Sequence, residues 1–360
     1  MAFDPIKGDR ITLYFVRARE WLGENGSLKL GVLLFLLFFG SVSLISSFEG
    51  LFFRSSSSDA KVTFIKDIAA PVQFGLLNPL VIVLILIHYR HLTEILRGVD
   101  KFVDVDQSQK NALIARMQGR YASKWTLLVA ALISILGTAM VFFIRSKTDN
   151  PYYFVNGWLS FSGMLTGIWG ILVTYVIAVW AIKNFITVTV LRETFVYPIK
   201  YQVLHTDRQA GLGEIGTLFT SLAGITFIAG LTLSMFLVPI LLHSHDSTAS
   251  RTNILLGLPY IFPYLILPLF AYLISVWDIH LKMKAGKEDI LRRIATNQSM
   301  DNCKAISDFY ALSKQLPEWP VNVSTIVTSI GSIGLPIASE FLRGPIKKSL
   351  NELLKNLGTG

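Results

Sequence analysis

Apolar positions along this chain gather into six long runs, 30–47, 72–89, 125–144, 157–182, 215–242 and 254–277. Each is about 18 residues or longer, the length an α-helix needs to cross a hydrocarbon layer of about 30 Å. None of the six contains Asp, Glu, Lys or Arg. An ion in the middle of a span costs about 3 kcal/mol, so segregation this complete predicts membrane spans rather than buried core helices. The polar connections carry a second pattern. Leu92, Ile95, Leu96, Val99, Phe102 and Val103 recur at three- and four-residue spacing, and Leu113, Ile114, Met117 and Tyr121 repeat it. This spacing predicts a helical hairpin between the second and third spans. Residues 5–24 mix Ile6, Ile11, Leu13, Tyr14, Val16 and Trp21 with Arg10, Arg17, Arg19 and Glu20, the pattern of an amphipathic helix on the inner membrane face. Ser27 is placed to cap the first span.

The expected fold class is therefore all-α, a polytopic helical membrane protein with six transmembrane helices and cytoplasmic helical extensions. An amphipathic cytoplasmic segment fills 1–29. The membrane domain fills 30–277, with cytoplasmic helical excursions at 90–124 and 183–214. The C-terminal part, 278–360, is read as cytoplasmic helices. Within it, 321–341 is weakly apolar and broken by Gly331, Gly334 and Pro336. An interfacial or re-entrant segment is the preferred reading there, and a seventh span the alternative.

Composition supports the membrane class. Apolar residues make up 52% of the chain and charged residues 16%, against about 25% charged in a soluble domain. Charge also gives the orientation. Segments 1–29, 90–124, 183–214 and 278–360 hold 27 Lys+Arg, while 48–71, 145–156 and 243–253 hold 6. Basic residues collect on the cytoplasmic side, so both termini are expected inside. The net charge of +9 then lies against anionic lipid. The basic residues are scattered, and no nucleic-acid partner is expected. The one cysteine, Cys303, leaves no intrachain disulfide and no cysteine-built metal site. Asp104 and Asp106 open like a calcium loop, but the Gly and bidentate Glu it needs do not follow, so they read as a helix cap. No metal and no cofactor is expected.

Candidate functional residues are few. Asn78-Pro79 lies inside the second span, where proline kinks a helix and Asn78 can bond across to a neighbour. Gly163 and Gly167 form G-x-x-x-G in the fourth span, and Thr217, Thr220 and Gly224 continue the small-residue style in the fifth. These six positions form the candidate pathway or packing face, with the fourth and fifth spans at the centre of the bundle. The fourth helix is expected to run on past Lys183 to about Tyr197. A loop then carries His205, Asp207, Arg208, Gly211 and Gly213. Asp207 suits a turn or a cap, and the glycines suit a tight reversal.

Leu191-Arg192, His205, Asp207 and Gly211-Leu212-Gly213 resemble a pattern seen in a group of uncharacterised bacterial polytopic membrane proteins. In that group an aromatic-Leu-Arg helix leads into His-Pro-Asp-x-x-Gly-Gly-Leu-Gly and then a new span. Here Thr206 replaces the proline and Ala210 the first glycine. Leu316-Pro317-Glu318-Trp319-Pro320 is similar to the group's Pro-x-Trp-Pro segment. The resemblance implies the topology and a place in the bacterial inner membrane, and it carries no assigned activity.

Function is narrowed by what the spans lack. A membrane enzyme brings acids, bases or nucleophiles into its spans, a proton-coupled transporter needs an intramembrane ionisable relay, and a voltage sensor needs repeated Arg. The chain is thus not expected to be an enzyme. Two readings remain. One is an oligomeric channel or pore, its lumen lined by Gly, Ser and Thr and gated by the cytoplasmic helical layer. The other is a non-conducting membrane scaffold or sensor that binds a cytoplasmic protein partner. The expected partners are the lipid bilayer, further copies of the same chain as a homo-oligomer, and that protein.

Overall fold

A computed structural model describes residues 4–50, 52, 64, 69–148, 160–194, 197, 200, 213–242, 267–296, 307, 310 and 311. Every regular element among them is a helix. Helix α1 is Arg10–Trp21 and α2 is Gly26–Phe48, with a π-helical turn at Leu36–Gly40. Helix α3 joins Ala69–Val72, a second π-helical turn Gln73–Leu77 and Asn78–Arg97. A short α4, Val99–Phe102, leads to α5, Gln107–Tyr121, and α6, Lys124–Thr148. The longest helix, α7, is Phe161–Thr194, followed by α8, Gly213–Leu242, and α9, Leu267–Thr296.

Among the described residues, Gly26–Phe48, Gln73–Arg97 and Phe161–Val190 are long and apolar enough to cross a membrane. Gln107–Tyr121 with Lys124–Met140 passes the same test as one broken span bent by 40°. That gives three or four candidate spans, where the sequence reading expects six. Gly213–Ala229, the first part of α8, is apolar, and 254–266 of the sixth expected span lies outside the described residues. Leu33, Leu36, Leu37 and Leu44 of α2 and Leu128, Leu132, Ile135 and Leu136 of α6 are exposed. Outward faces this apolar are compatible with insertion in lipid.

Local chemistry explains several boundaries. Asp9 caps α1 by accepting from the Thr12 amide at 3.2 Å. Asp106 opens α5 with a reciprocal capping box, accepting from the Gln109 amide at 2.7 Å while the Gln109 side chain accepts from the Asp106 amide at 2.9 Å. The cap expected there is present. Ser27 does not cap α2, whose N-cap is Asn25 in the left-handed region (φ 57°) without a side-chain bond. Gly26 follows because a Cβ there would lie 2.2 Å from the Arg19 carbonyl oxygen. The π turn at Gln73–Leu77 sits just before Pro79, whose ring crowds the carbonyl four residues back. It packs on the π turn of α2, with a Cβ at Gly75 only 3.3 Å from the Phe39 ring.

Packing differs from expectation in one respect. The most extensive contact is α6 on α7, then α8 on α3 and α9 on α7. The glycine face of α7 meets α6: a Cβ at Gly170 would be 3.1 Å from Thr138 Cγ2, and one at Gly167 3.6 Å from the Phe142 ring. Helix α8 packs on α3 instead. Small residues permit close approach without selecting the neighbour.

Candidate functional site

Helix α7 buries Val173, Val176, Trp180, Lys183, Thr187 and Val190. Their spacing of three and four residues is one helical stripe, and a lysine occupies its middle. Lys183 is 0% exposed. Its ammonium donates to the Pro5 carbonyl at 2.8 Å and lies 3.9 Å from Asp9 Oδ2. The rings of Tyr89 and Tyr121 stand 5.8 and 5.6 Å from it, within reach of a cation–π attraction. Asp9 divides its work: Oδ1 caps α1, and Oδ2 faces the lysine with no hydrogen-bond partner.

The segment that carries Pro5 and Asp9 is fixed at its other end too. The Asp4 amide donates to Gln118 Oε1 at 2.8 Å, and Gln118 Nε2 donates to the Asp4 carbonyl at 2.9 Å. Gly8 turns the segment with φ 84°. The N-terminal segment is thus not merely an interfacial helix. It seats its backbone on α5 and α7, where the Tyr121 and Thr187 hydroxyls also bond each other.

Beyond Lys183 the helix continues for eleven residues to Thr194, three short of the expected Tyr197. At 34 residues it is about 51 Å long. Glu193 pairs with Arg116 at 2.7 Å and Arg120 at 3.5 Å, and Arg192 pairs with Asp278 of α9 at 2.8 Å. Lys200 pairs with Asp104 at 3.2 Å. Lys110 donates to the Arg97 carbonyl at 2.6 Å and bonds the Asp100 carboxylate. The Lys110 hydrogen bond, more than the charges of Lys110 and Lys200, holds the Asp100 carboxyl below the ordinary carboxylate range. These contacts tie α3, α4, α5, α7 and α9 into one layer.

A second polar feature lies between α3 and α8. His88 Nδ1 and Ser221 Oγ are 2.9 Å apart, and the His88 ring meets the Trp180 ring edge-on at 6.1 Å. Asn78 is 1% exposed, and neither amide atom has a partner. The cross-helix bond expected of it is therefore not made.

The other predicted positions are dispersed. Gly163 is buried at the start of α7, where its amide donates to Ser160 Oγ at 3.0 Å. Gly167 faces α6. Thr217 and Thr220 are exposed on α8, their hydroxyls bonded back to the Gly213 and Gly216 carbonyls at 3.1 and 2.9 Å. A Cβ at Gly224 would meet nothing within 4 Å. Gly213 opens α8, while His205, Asp207, Arg208 and Gly211 lie outside the described residues. Among the described residues no group of three His, Cys, Asp or Glu is placed to hold a metal ion. Sequence reasoning missed Asp9, Gln118 and Lys183. The first two carry no local signal, whereas Lys183 does, because it falls on the apolar stripe of its helix.

Among the described residues these contacts define a helical assembly with several helices fit to cross a membrane, its N-terminal segment bonded to α5 and α7. No known protein family, curated protein or solved structure matches it.

Proposed function

We propose that this is a six-span protein of the bacterial inner membrane, both termini cytoplasmic, acting as a homo-oligomeric channel gated by its cytoplasmic helical layer. The observation that carries the reading is the buried, unpaired amide of Asn78 in α3, the helix on which α8 packs. Burying a polar group without a partner costs about 1–3 kcal/mol in proteins. Water or a permeant ion entering the seam supplies the missing partners. Farther along α3 the His88–Ser221 pair adds a second polar contact between the helices, of the kind a hydroxyl- and amide-lined path uses. The Lys183 latch holds the N-terminal segment over the bundle, and the ion pairs of α7 connect it to the rest of the layer. The open Thr217, Thr220 and Gly224 face of α8 suits contact with a second copy, since small residues let helices approach closely.

Potassium and sodium flux into proteoliposomes tests the reading. The wild type conducts weakly, and Asp9→Asn with Lys183→Met conducts more. Asn78→Leu blocks flux while its fold is kept. If both the wild type and the released variant are impermeable, the channel reading fails and the non-conducting scaffold or sensor stands. The orientation is tested in a Cys303→Ser background. Cysteines at Ser57 and Thr248 label from outside, and one at Ser108 does not; outside labelling of Ser108 overturns it.

A further inference from the structure

Between α6 and α7 lies a groove of about 720 Å³, to whose lining Ile11 of α1 also contributes. Leu128 and Ile135 of α6 and Ile168 and Ile171 of α7 line it. Ser134 stands in the wall, but its hydroxyl is spent on the Ile171 carbonyl. The lining is therefore apolar, and it calls for a hydrocarbon chain rather than a polar ligand. Its mouth has the opposite character. Lys124 is at the rim. Gly8 crosses beside it, since a Cβ there would be 3.8 Å from the Ala122 backbone and 4.0 Å from Leu127 Cδ1. Lys7 precedes Gly8 and Arg10 follows it two residues on, beyond the buried Asp9, and both basic residues are exposed, as is Lys124. Among the described residues none of the three makes an ion pair, so the mouth holds positive charge without a described counter-ion. Length fits as well. From Lys124 to Ile135 the helix rises about 16 Å, half of a hydrocarbon layer of about 30 Å. Trp125, 73% exposed beside Lys124, sits where an aromatic residue marks the membrane–water boundary.

We propose that this groove binds one anionic phospholipid of the cytoplasmic leaflet, an acyl chain lying between α6 and α7 and the phosphate held by Lys124, Lys7 and Arg10. The inference rests on the membrane reading and its orientation, and is independent of conduction. The bound chain touches Ile11 and the phosphate touches the segment latched on Lys183. Lipid occupancy thereby stabilises the seated N-terminal segment, which makes anionic lipid a regulator of the cytoplasmic layer.

Native mass spectrometry of the full chain in mild detergent tests this, with phosphatidylglycerol and phosphatidylcholine of identical acyl chains as probes. One basic residue at an anionic surface is worth about fivefold in affinity. The wild type should retain one phosphatidylglycerol at least about tenfold more strongly than phosphatidylcholine. Lys7→Gln with Arg10→Gln and Lys124→Gln, all exposed and harmless to folding, should bring the two to parity. The same loss of charge at Lys282, Lys284 and Arg292 should leave the preference intact. Ala131→Phe, which fills the groove, should lose both lipids. Equal retention of the two lipids by the wild type, an undiminished preference in the first triple variant, or wild-type binding by Ala131→Phe would each overturn the proposal. Flux measurements do not enter, so this outcome is separable from failure of the channel reading.

Discussion

Replacing Lys183 by methionine keeps the volume of the side chain and removes its charge. The Asp9 carboxylate, with a side chain 0% exposed, then loses the cation 3.9 Å away, and the Pro5 carbonyl loses its 2.8 Å donor. At an effective dielectric constant of 20, two unit charges at this separation attract by about 4 kcal/mol, and a hydrogen bond to a charged group is worth about 1.5–3 kcal/mol. Part of this is offset, since Asp9 and the lysine were both desolvated to make the pair. Breaking one half of a buried pair costs about 3–5 kcal/mol, and that is the expected loss. Asp9→Asn removes the other charge and keeps the cap on Thr12, because Asn caps as well as Asp. The double variant buries no charge and should fall short of the summed losses by about 1–3 kcal/mol. Reversible unfolding in mixed micelles measures all three. A cysteine at buried Pro5, in a Cys303→Ser background, separates release of the segment from global unfolding: it should label in either single variant under conditions where α7 stays folded. A Lys183→Met variant within about 0.5 kcal/mol of the wild type, or additive losses in the double, would sink the latch.

Three further outcomes follow from the contacts. The Glu49 carboxylate accepts from the Phe161 and Ser162 amides at 2.9 and 3.3 Å, so Glu49→Ala should cost about 1 kcal/mol of stability and Glu49→Gln less, both read by thermal unfolding. Asp100 has a carboxyl pKa held low by Lys110, so its contribution is present above the ordinary carboxylate range and is lost as pH falls through the lowered value. Asp100→Asn should therefore destabilise at neutral pH, by no more than about 0.2–1 kcal/mol for so exposed a pair, and the difference should vanish in acid. Gly170→Leu should cost about 1–3 kcal/mol through overpacking against Thr138, whereas Gly224→Leu should leave the single chain unchanged and weaken self-association; equal losses of stability would refute the packing of α7 on α6.

The parts legible in the sequence are those written locally. Charge segregation marks the apolar helices, and Asp106 with Gln109 three residues on marks the start of α5. The helical continuations beyond the second and fourth apolar runs are legible too: a helix satisfies its own backbone in water as in lipid, so α3 runs on to Arg97 and α7 to Thr194, three residues short of the expected Tyr197. Pro79 announces a kink but not its form, a π turn matched by another in α2. The site was illegible for a different reason. Pro5 and Lys183 are 178 residues apart, and nothing near either names the other. Lysine is rarely buried, so Lys183 reads as the end of a span. The stripe of Val176, Trp180, Thr187 and Val190 around it argues the reverse, because at three- and four-residue spacing that position faces the core whatever residue fills it. A cation placed there must find an anion and a carbonyl within the chain. The N-terminal segment, which offers both, is held over the bundle by that demand.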